Sequence, residues 1–430
     1  MTAKVRPTLP YFYIGDDFTG ASDTLATLAS SGRETRLFLD PPRMDEVRDA
    51  QLDAAGIATE LRSLPPEEMI RRIDAMAPCL AALAPRIVHY KVCSTFDSAP
   101  HVGSIGAAVL RLEQLLRPAF VAVIGGQPSL GRYCSFGNLF AWASDGDVYR
   151  IDRHPVMKCH PTTPMTEADL RLHLARQGLA GVRLVDLQEI SLGPAELGAC
   201  LEHDIRRGHR RFLFDVADQD QLRIIGAALN SCDTAGRPIL AVGASSVAEA
   251  FSPEDGDLAW REENANGMER LGPCLAVAGS RSSVTANQVS AARSYWKRPI
   301  AVEDLADEAA LKRLGQECCD VLAGGGNVLV HLLPDADYGL SASALSQRLA
   351  RLTGAVMKHV PLRCLAVAGG DTSSVVARQL GLDCLTFDRR LGQGVAICTA
   401  RSSHPERDGM RVMFKGGQVG GPGIFDAFLQ

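Results

Sequence analysis

Two carboxylates stand side by side in Gly15-Asp16-Asp17-Phe18-Thr19-Gly20-Ala21-Ser22-Asp23. Before them, residues 11–14 form a short apolar run of the kind that makes a buried strand; after them, Ala21, Leu25, Leu28 and Ala29 recur at helical spacing up to Gly32. A strand that ends in a glycine turn and opens a helix leaves amide groups unpaired at its edge, which is where open α/β sheets take their ligands. Asp16 and Asp17 at such an edge can hold a polyhydroxylated substrate or a cation, or orient and deprotonate an attacking hydroxyl. Helix capping is the plainer alternative, with Thr19 or Ser22 as further cap candidates. It needs one side chain and leaves the second Asp unexplained.

Other stretches carry chemistry at similar turns. Residues 87–90 read as a strand running into Lys91-Val92-Cys93-Ser94-Thr95-Phe96-Asp97-Ser98, where Lys91 can pair with a substrate carboxylate while Ser94 and Thr95 donate hydrogen bonds. Residues 274–278 lead into Gly279-Ser280-Arg281-Ser282-Ser283, and residues 364–368 into Gly369-Gly370-Asp371-Thr372-Ser373. Residues 410–414 end in Lys415-Gly416-Gly417-Gln418-Val419-Gly420-Gly421-Pro422-Gly423. Glycine- and hydroxyl-rich helix starts suit phosphate: the dipole contributes roughly 0.3–2 kcal/mol and direct N–H bonds add to it. Gly416 and Gly417 let the backbone come close to a ligand, and Lys415 adds a point charge. Asp371 is placed to hold Mg²⁺ directly or through water. His154 and His160 lack the three or four closely spaced ligands of a metal site and read as structural or as part of a substrate edge.

The elements that must position these residues follow one pattern: apolar strand, small-residue turn, helix. A weak echo of it recurs at Leu240, Leu275 and Leu365. The pattern predicts an α/β fold with mostly parallel sheets flanked by helices, and 430 residues exceed one ordinary core. Residues 252–272 are charged and polar and read as a linker. The expected division is therefore 1–251 for the acceptor substrate and 273–430 for a nucleotide, with the active site in the interdomain cleft.

Composition narrows the function. The chain is 46% apolar and 22% charged with a net charge of −5, which argues against a nucleic-acid or other polyanion surface. No apolar leader opens it and the longest apolar stretches are strand-sized, so neither signal peptide nor membrane span is expected. The 12 cysteines include no C-x-x-C pair and read as buried thiols in a reducing cytoplasm. G-x-x-x-x-G-K-[ST], G-x-S-x-G, H-E-x-x-H and the protein-kinase motifs are absent, and the first turn is not G-x-G-x-x-G. What remains is the layout of a small-molecule kinase using ATP and Mg²⁺. Two rivals stay open: a non-catalytic binder of an acid sugar and nucleotide, and a nicotinamide-dependent oxidoreductase. A homo-oligomer is compatible with everything in the sequence.

The runs Gly15 to Asp23, Lys91 to Ser98, Gly369 to Thr372 and Lys415 to Pro422 together resemble the four-carbon acid sugar kinase family. The resemblance covers nearly the whole chain with the motifs in order. It implies two α/β domains, an N-terminal one for the acid sugar and a C-terminal one for ATP. The activity it implies is phosphorylation of threonate, erythronate or a 3-oxo-tetronate at a terminal hydroxyl. By position, Asp16, Asp17, Lys91, Cys93, Ser94 and Thr95 resemble the acceptor site. Ser280, Ser282, Gly369, Gly370, Asp371, Thr372, Lys415, Gly416 and Gly417 resemble the ATP site. Many relatives have Lys-Ser-Gly-Asn where this chain has Lys415-Gly-Gly-Gln418, a change that keeps backbone contacts and loses one hydroxyl.

Overall fold

The computed structural model describes residues 9–143, 145–252 and 272–430. The expected linker lies, but for its two end residues, outside the described residues. By its internal contacts the chain falls into two compact units. The first comprises Met1–Asp16, Thr27–Thr35 and Pro41–Leu258; the second comprises Asp17–Ala26, Arg36–Asp40 and Ala259–Gln430. Two stretches of the N-terminal region thus count with the second unit, and the changeover falls between the two adjacent aspartates.

The strands, in chain order, are β1 (Tyr11–Gly15), β2 (Thr35–Phe38), β3 (Ala54–Ala58), β4 (Ile87–Lys91), β5 (Val121–Ile124), β6 (Arg132–Ser135), β7 (Asn138–Trp142), β8 (Val148–Arg150), β9 (Arg183–Val185), β10 (Arg211–Phe214) and β11 (Ile239–Gly243). They continue with β12 (Cys274–Ala278), β13 (Trp296–Ile300), β14 (Val328–Leu332), β15 (Cys364–Ala368), β16 (Cys384–Gly392), β17 (Val395–Arg401) and β18 (Arg411–Lys415).

In the first unit the strand order is β3-β1-β4-β11-β5-β10-β9, and every pairing is parallel. β1, β4, β5 and β11 are buried along their whole length, as parallel strands covered on both faces must be. A buried polar network fastens three of them. His89 on β4 donates from Nε2 to the Gly243 carbonyl of β11 at 3.1 Å, which leaves Nδ1 to accept from the Tyr11 hydroxyl of β1 at 2.8 Å. Burial pushes the His89 pKa down to about 3, so the ring is neutral and each nitrogen has one defined role.

In the second unit the order is β13-β14-β12-β15-β18-β17-β16-β2. The pairings from β13 to β18 are parallel; those of β17 with β18, β16 with β17 and β2 with β16 are antiparallel. Cys274, Ala276 and Ala278 of β12 and Ala366 of β15 pack into a core with Leu329, Met413, Phe425 and Phe428. None of the twelve cysteines forms a disulfide, and most are buried. Ser282, Asp307 and Ser341 each accept an amide from the first turn of their helices.

Sequence patterning does not reveal the small sheet β6-β7-β8. Its first turn passes through Phe136 at φ 51° and Gly137 at φ 80°, the double left-handed geometry that hairpins favour and that Phe rarely adopts. The compensation comes from far along the chain: the buried Asp215 carboxylate, just beyond β10, accepts the Phe136 and Gly137 amides at 2.6 and 2.9 Å. Asp215→Ala removes both acceptors and is expected to lower stability by about 1.5–3 kcal/mol, the worth of hydrogen bonds to a charged group. The check is the urea midpoint. A midpoint equal to wild type would show that the strand ladder alone holds the hairpin.

Candidate active site

In each sheet the strand order reverses at one place, and the predicted site residues sit at the carboxyl ends of the strands on either side of it. In the first unit that place is between β1 and β4, where Gly15 lies opposite Lys91 and the Asp16 amide donates to the Lys91 carbonyl at 2.9 Å. Asp16 is 3% exposed, and a carboxylate so deeply buried needs a partner. Arg62 supplies it with both arms of its fork, Nη2 to Oδ1 at 2.7 Å and Nε to Oδ2 at 3.1 Å, while the Arg62 amide donates to the Asp16 carbonyl. The sequence reading missed Arg62, which stands 46 positions from Asp16 with no motif around it.

Lys91 is buried, and its ammonium donates to the Val92 carbonyl at 2.9 Å, leaving two of its three N–H groups for a ligand. The loop beyond it is internally ordered. Thr95 Oγ1 donates to Asp97 Oδ1 at 2.5 Å, so the Cys93 thiol, 3.0 Å from the same hydroxyl, is the donor in that pair. Burial, reinforced by Asp97, pushes the Cys93 pKa up to about 11, which keeps it a thiol at neutral pH. Phe96 adopts φ 53°, a strained value for a bulky residue. Its ring is buried and its carbonyl accepts from Ser98 Oγ at 2.9 Å. Gly103 then closes the loop onto Arg62: its amide donates to the Leu64 carbonyl at 2.9 Å, and a Cβ there would strike the Arg62 carbonyl oxygen.

In the second unit the reversal lies between β12 and β15, where the Gly279 and Ser280 amides both donate to the Ala368 carbonyl, at 2.9 and 3.0 Å. Gly369, at φ 131°, lets the chain turn into helix Gly370–Gln379, with Asp371 in the first turn. Its amide donates to the Lys415 carbonyl at 2.8 Å, so the turns after β15 and β18 are tied together. The third turn joins through hydroxyls: Ser282 Oγ and Thr285 Oγ1 donate to the Gly417 carbonyl at 2.6 and 2.9 Å. A Cβ on Gly417 would land on the Ser280 hydroxyl, and one on Gly279 would land on Thr372 Oγ1. Ser280, Ser282, Thr372 and Gly417 therefore form one interlocked cradle. Ser282 and Thr285 position the loop.

The start of helix Phe18–Ser30 belongs to this same unit. Asp17, rather than Thr19 or Ser22, caps that helix: Oδ1 accepts the Gly20 amide at 2.8 Å. Ser22 instead donates to the Thr19 carbonyl. The Thr19 hydroxyl is buried without a hydrogen-bond partner, 3.4 Å from where a Cβ of Gly370 would sit, and Asp17 Oδ2 is 3.9 Å from that point. The first turn of the helix thus lies against the Gly369–Gly370 turn. Its hydroxyl was visible in the sequence only as a cap candidate.

His154 is spent on structure, accepting the Val156 and Met157 amides at Nδ1, and His160 accepts the Thr163 amide. Among the described residues no three His, Cys, Asp or Glu side chains cluster as a metal site would require. Mg²⁺ in phosphoryl transfer uses one or two carboxylates and takes its other ligands from phosphate and water, and Asp371 beside the cradle fits that requirement.

Lys415 is fully buried, its ammonium donates to the Gly416 carbonyl at 2.8 Å, and burial pulls its pKa down to about 8. Below that value it is an ammonium that attracts phosphate; above it, a neutral amine. ADP affinity is therefore expected to fall as pH rises through about 8, with proton uptake on binding near that pH, and Lys415→Met should bind weakly and without this dependence. Calorimetry in buffers of different ionisation enthalpy measures both. A wild-type affinity flat from pH 7 to 9 would remove Lys415 from the phosphates.

Residues 11–251 match a family described as "Sugar-binding N-terminal domain", and residues 275–425 one described as "Nucleotide-binding C-terminal domain". The chain is 34% identical to a 3-oxo-isoapionate kinase of Paraburkholderia graminis, over 96% of this chain and 92% of that protein. It is 30% identical to a 3-oxo-tetronate kinase of Cupriavidus necator, over 97% and 96%. The fold matches the crystal structure of Haemophilus influenzae protein HI1011 with a TM-score of 0.73 at 23% identity, covering 97% of this chain and 98% of that one. The chain belongs to the family that joins a sugar-binding N-terminal domain to a nucleotide-binding C-terminal domain, and it is a small-molecule kinase.

Proposed function

We propose that the protein transfers the γ-phosphoryl group of ATP to a terminal hydroxyl of a four-carbon sugar acid, with 3-oxo-tetronates as the first class to test. The observation that carries this reading is the division of the aspartate pair. Asp16 is neutralised by Arg62 at the edge that also bears Lys91, whereas Asp17 stands beside the Gly369–Gly370 turn. The name of the Cupriavidus necator relative, a 3-oxo-tetronate kinase, supports it, and that of the Paraburkholderia graminis relative supports a 3-oxo sugar acid more broadly.

In this reading Lys91, Cys93, Ser94 and Thr95 line the acid's site and Asp16 fixes the start of the turn. Asp17 takes the proton of the acceptor hydroxyl as its oxygen bonds to phosphorus and the bond to the ADP oxygen breaks. The cradle of Ser280, Ser282, Gly369, Gly370, Thr372, Gly416 and Gly417, with Lys415, holds the phosphates. Mg²⁺, held by Asp371 and phosphate oxygens, would neutralise charge there. No helix among the described residues is long and apolar enough to cross a membrane, and a cytoplasmic setting suits the free thiols.

The test is ADP release from ATP and Mg²⁺ with a panel of tetronates, 3-oxo-tetronates and 3-oxo-isoapionate. At least one acid should be turned over, and Asp17→Asn should lower kcat for it by about 10²–10⁴ while ADP binding is retained. Lys91→Met should raise the KM for the acid roughly tenfold or more with that for ATP unchanged. Turnover of no tetronate or 3-oxo-tetronate in the panel would sink the substrate class. A fully active Asp17→Asn would sink the role of that carboxylate.

A further inference from the structure

We propose that Arg132 receives the carboxylate of the sugar acid and is the residue by which the enzyme selects acids over neutral polyols; this rests on the sugar-acid kinase reading above. Nothing in the sequence marks Arg132, and its claim comes from where the fold puts it. β5 ends beside β11, with Ile124 opposite Gly243, and Gly243 in turn lies opposite Lys91 of β4. The carboxyl ends of β4, β11 and β5 therefore form one row. β5 leaves the sheet through Gly125 and Gly126, and the chain then makes a tight return: the Gln127 amide donates to the Arg132 carbonyl at 2.9 Å and the Arg132 amide to the Gln127 carbonyl at 3.1 Å. That reciprocal pair pins Arg132 to the end of β5, on the same edge as Lys91 and Cys93.

The guanidinium is held but unneutralised. Nη1 donates to the Leu130 carbonyl at 2.5 Å, Nε is buried with no acceptor, and among the described residues no carboxylate pairs with it. The contrast is with Arg62 on the same edge, whose fork is filled by Asp16. Cys93 acts electrostatically on the Arg132 guanidinium, which places Arg132 within reach of the acceptor loop. Burial lowers the Arg132 pKa without removing the charge, because an arginine remains protonated at any working pH. A half-buried guanidinium whose Nε lacks an acceptor is costly unless an anion arrives to meet the group. Its planar fork fits a carboxylate better than a lysine ammonium does. Lys91 then serves as the second cation of the same subsite or as donor to the adjacent oxygen.

The experiment uses the full-length enzyme, the best acid from the ADP-release panel, and the neutral polyol that carries CH₂OH in place of that acid's carboxylate. Wild type should favour the acid strongly. In Arg132→Met the KM for the acid should rise roughly tenfold or more. The KM for ATP and for the neutral polyol should stay within about threefold of wild type, so that the preference for acid collapses. Arg132→Lys should fall between the two; it keeps the charge and the length of the stem, and serves as the measured variant if thermal melting shows Arg132→Met to be unfolded. An acid KM equal to wild type in a folded Arg132→Met, or in Arg132→Lys when the Met variant is unfolded, overturns the proposal and leaves the kinase reading standing. So does an equal loss for acid and polyol. Wild type that turns over no acid overturns both.

Discussion

Gly15 lies opposite Lys91, and Ala278 lies opposite Ala368. Everything else about the site depends on those two parallel registers. A parallel ladder aligns the carboxyl ends of its strands, and where strand order reverses, the two emerging loops diverge and leave a gap lined with amides. Slipping either pair by one residue would turn every side chain on the strand to the opposite face. The first register is pinned by more than backbone bonds, because the neutral His89 ring links Tyr11, its own strand and Gly243. The second is pinned by small side chains: β12 and β15 share the sequence Cys-Leu-Ala-Val-Ala, so each residue meets its identical counterpart, Cys274 on Cys364 through Ala278 on Ala368.

The aspartate pair that the sequence presents as one motif has two separate duties. Asp16 is a buried anion whose cost is offset by a bidentate arginine, and breaking such a pair leaves a charge stranded in a poorly polarisable place. Asp17 spends one oxygen on the Gly20 amide and faces the Gly370 turn with the other. Burial and partners, rather than residue type, set the two apart.

How much of this was legible follows from how local each cause is. The turns at strand ends were plain in the sequence because a strand and the turn or helix start that follows it occupy some fifteen consecutive residues, within the span of local propensity. Hairpin β6–β7 was not, since the acceptor that lets Phe136 turn left-handed is Asp215, 79 residues away. β13 was hidden by Pro299, which reads as a strand breaker and is tolerated because this strand lies at the edge of its sheet. Arg62 and Arg132 stand in unremarkable surroundings and become chemically distinct only through what the fold sets beside them. The division of the chain was legible only in outline, because assignment of Asp17–Ala26 and Arg36–Asp40 to the second unit depends on pairing such as that of Phe38 with Cys384.

That last pairing bears on how the protein is made. β2 leaves the ribosome early, while β16, against which its Leu37 and Phe38 lie antiparallel, is synthesised almost at the end. At about 5–20 residues per second, one edge of β2 waits on the order of 20–70 s for its partner. Throughout that interval the nascent chain carries a buried-type strand with an open edge and a helix start whose docking surface does not yet exist. The second unit is consequently no module that could be cut free at residue 273 and expressed alone: such a fragment would lack its border strand and present β16 bare to any other chain.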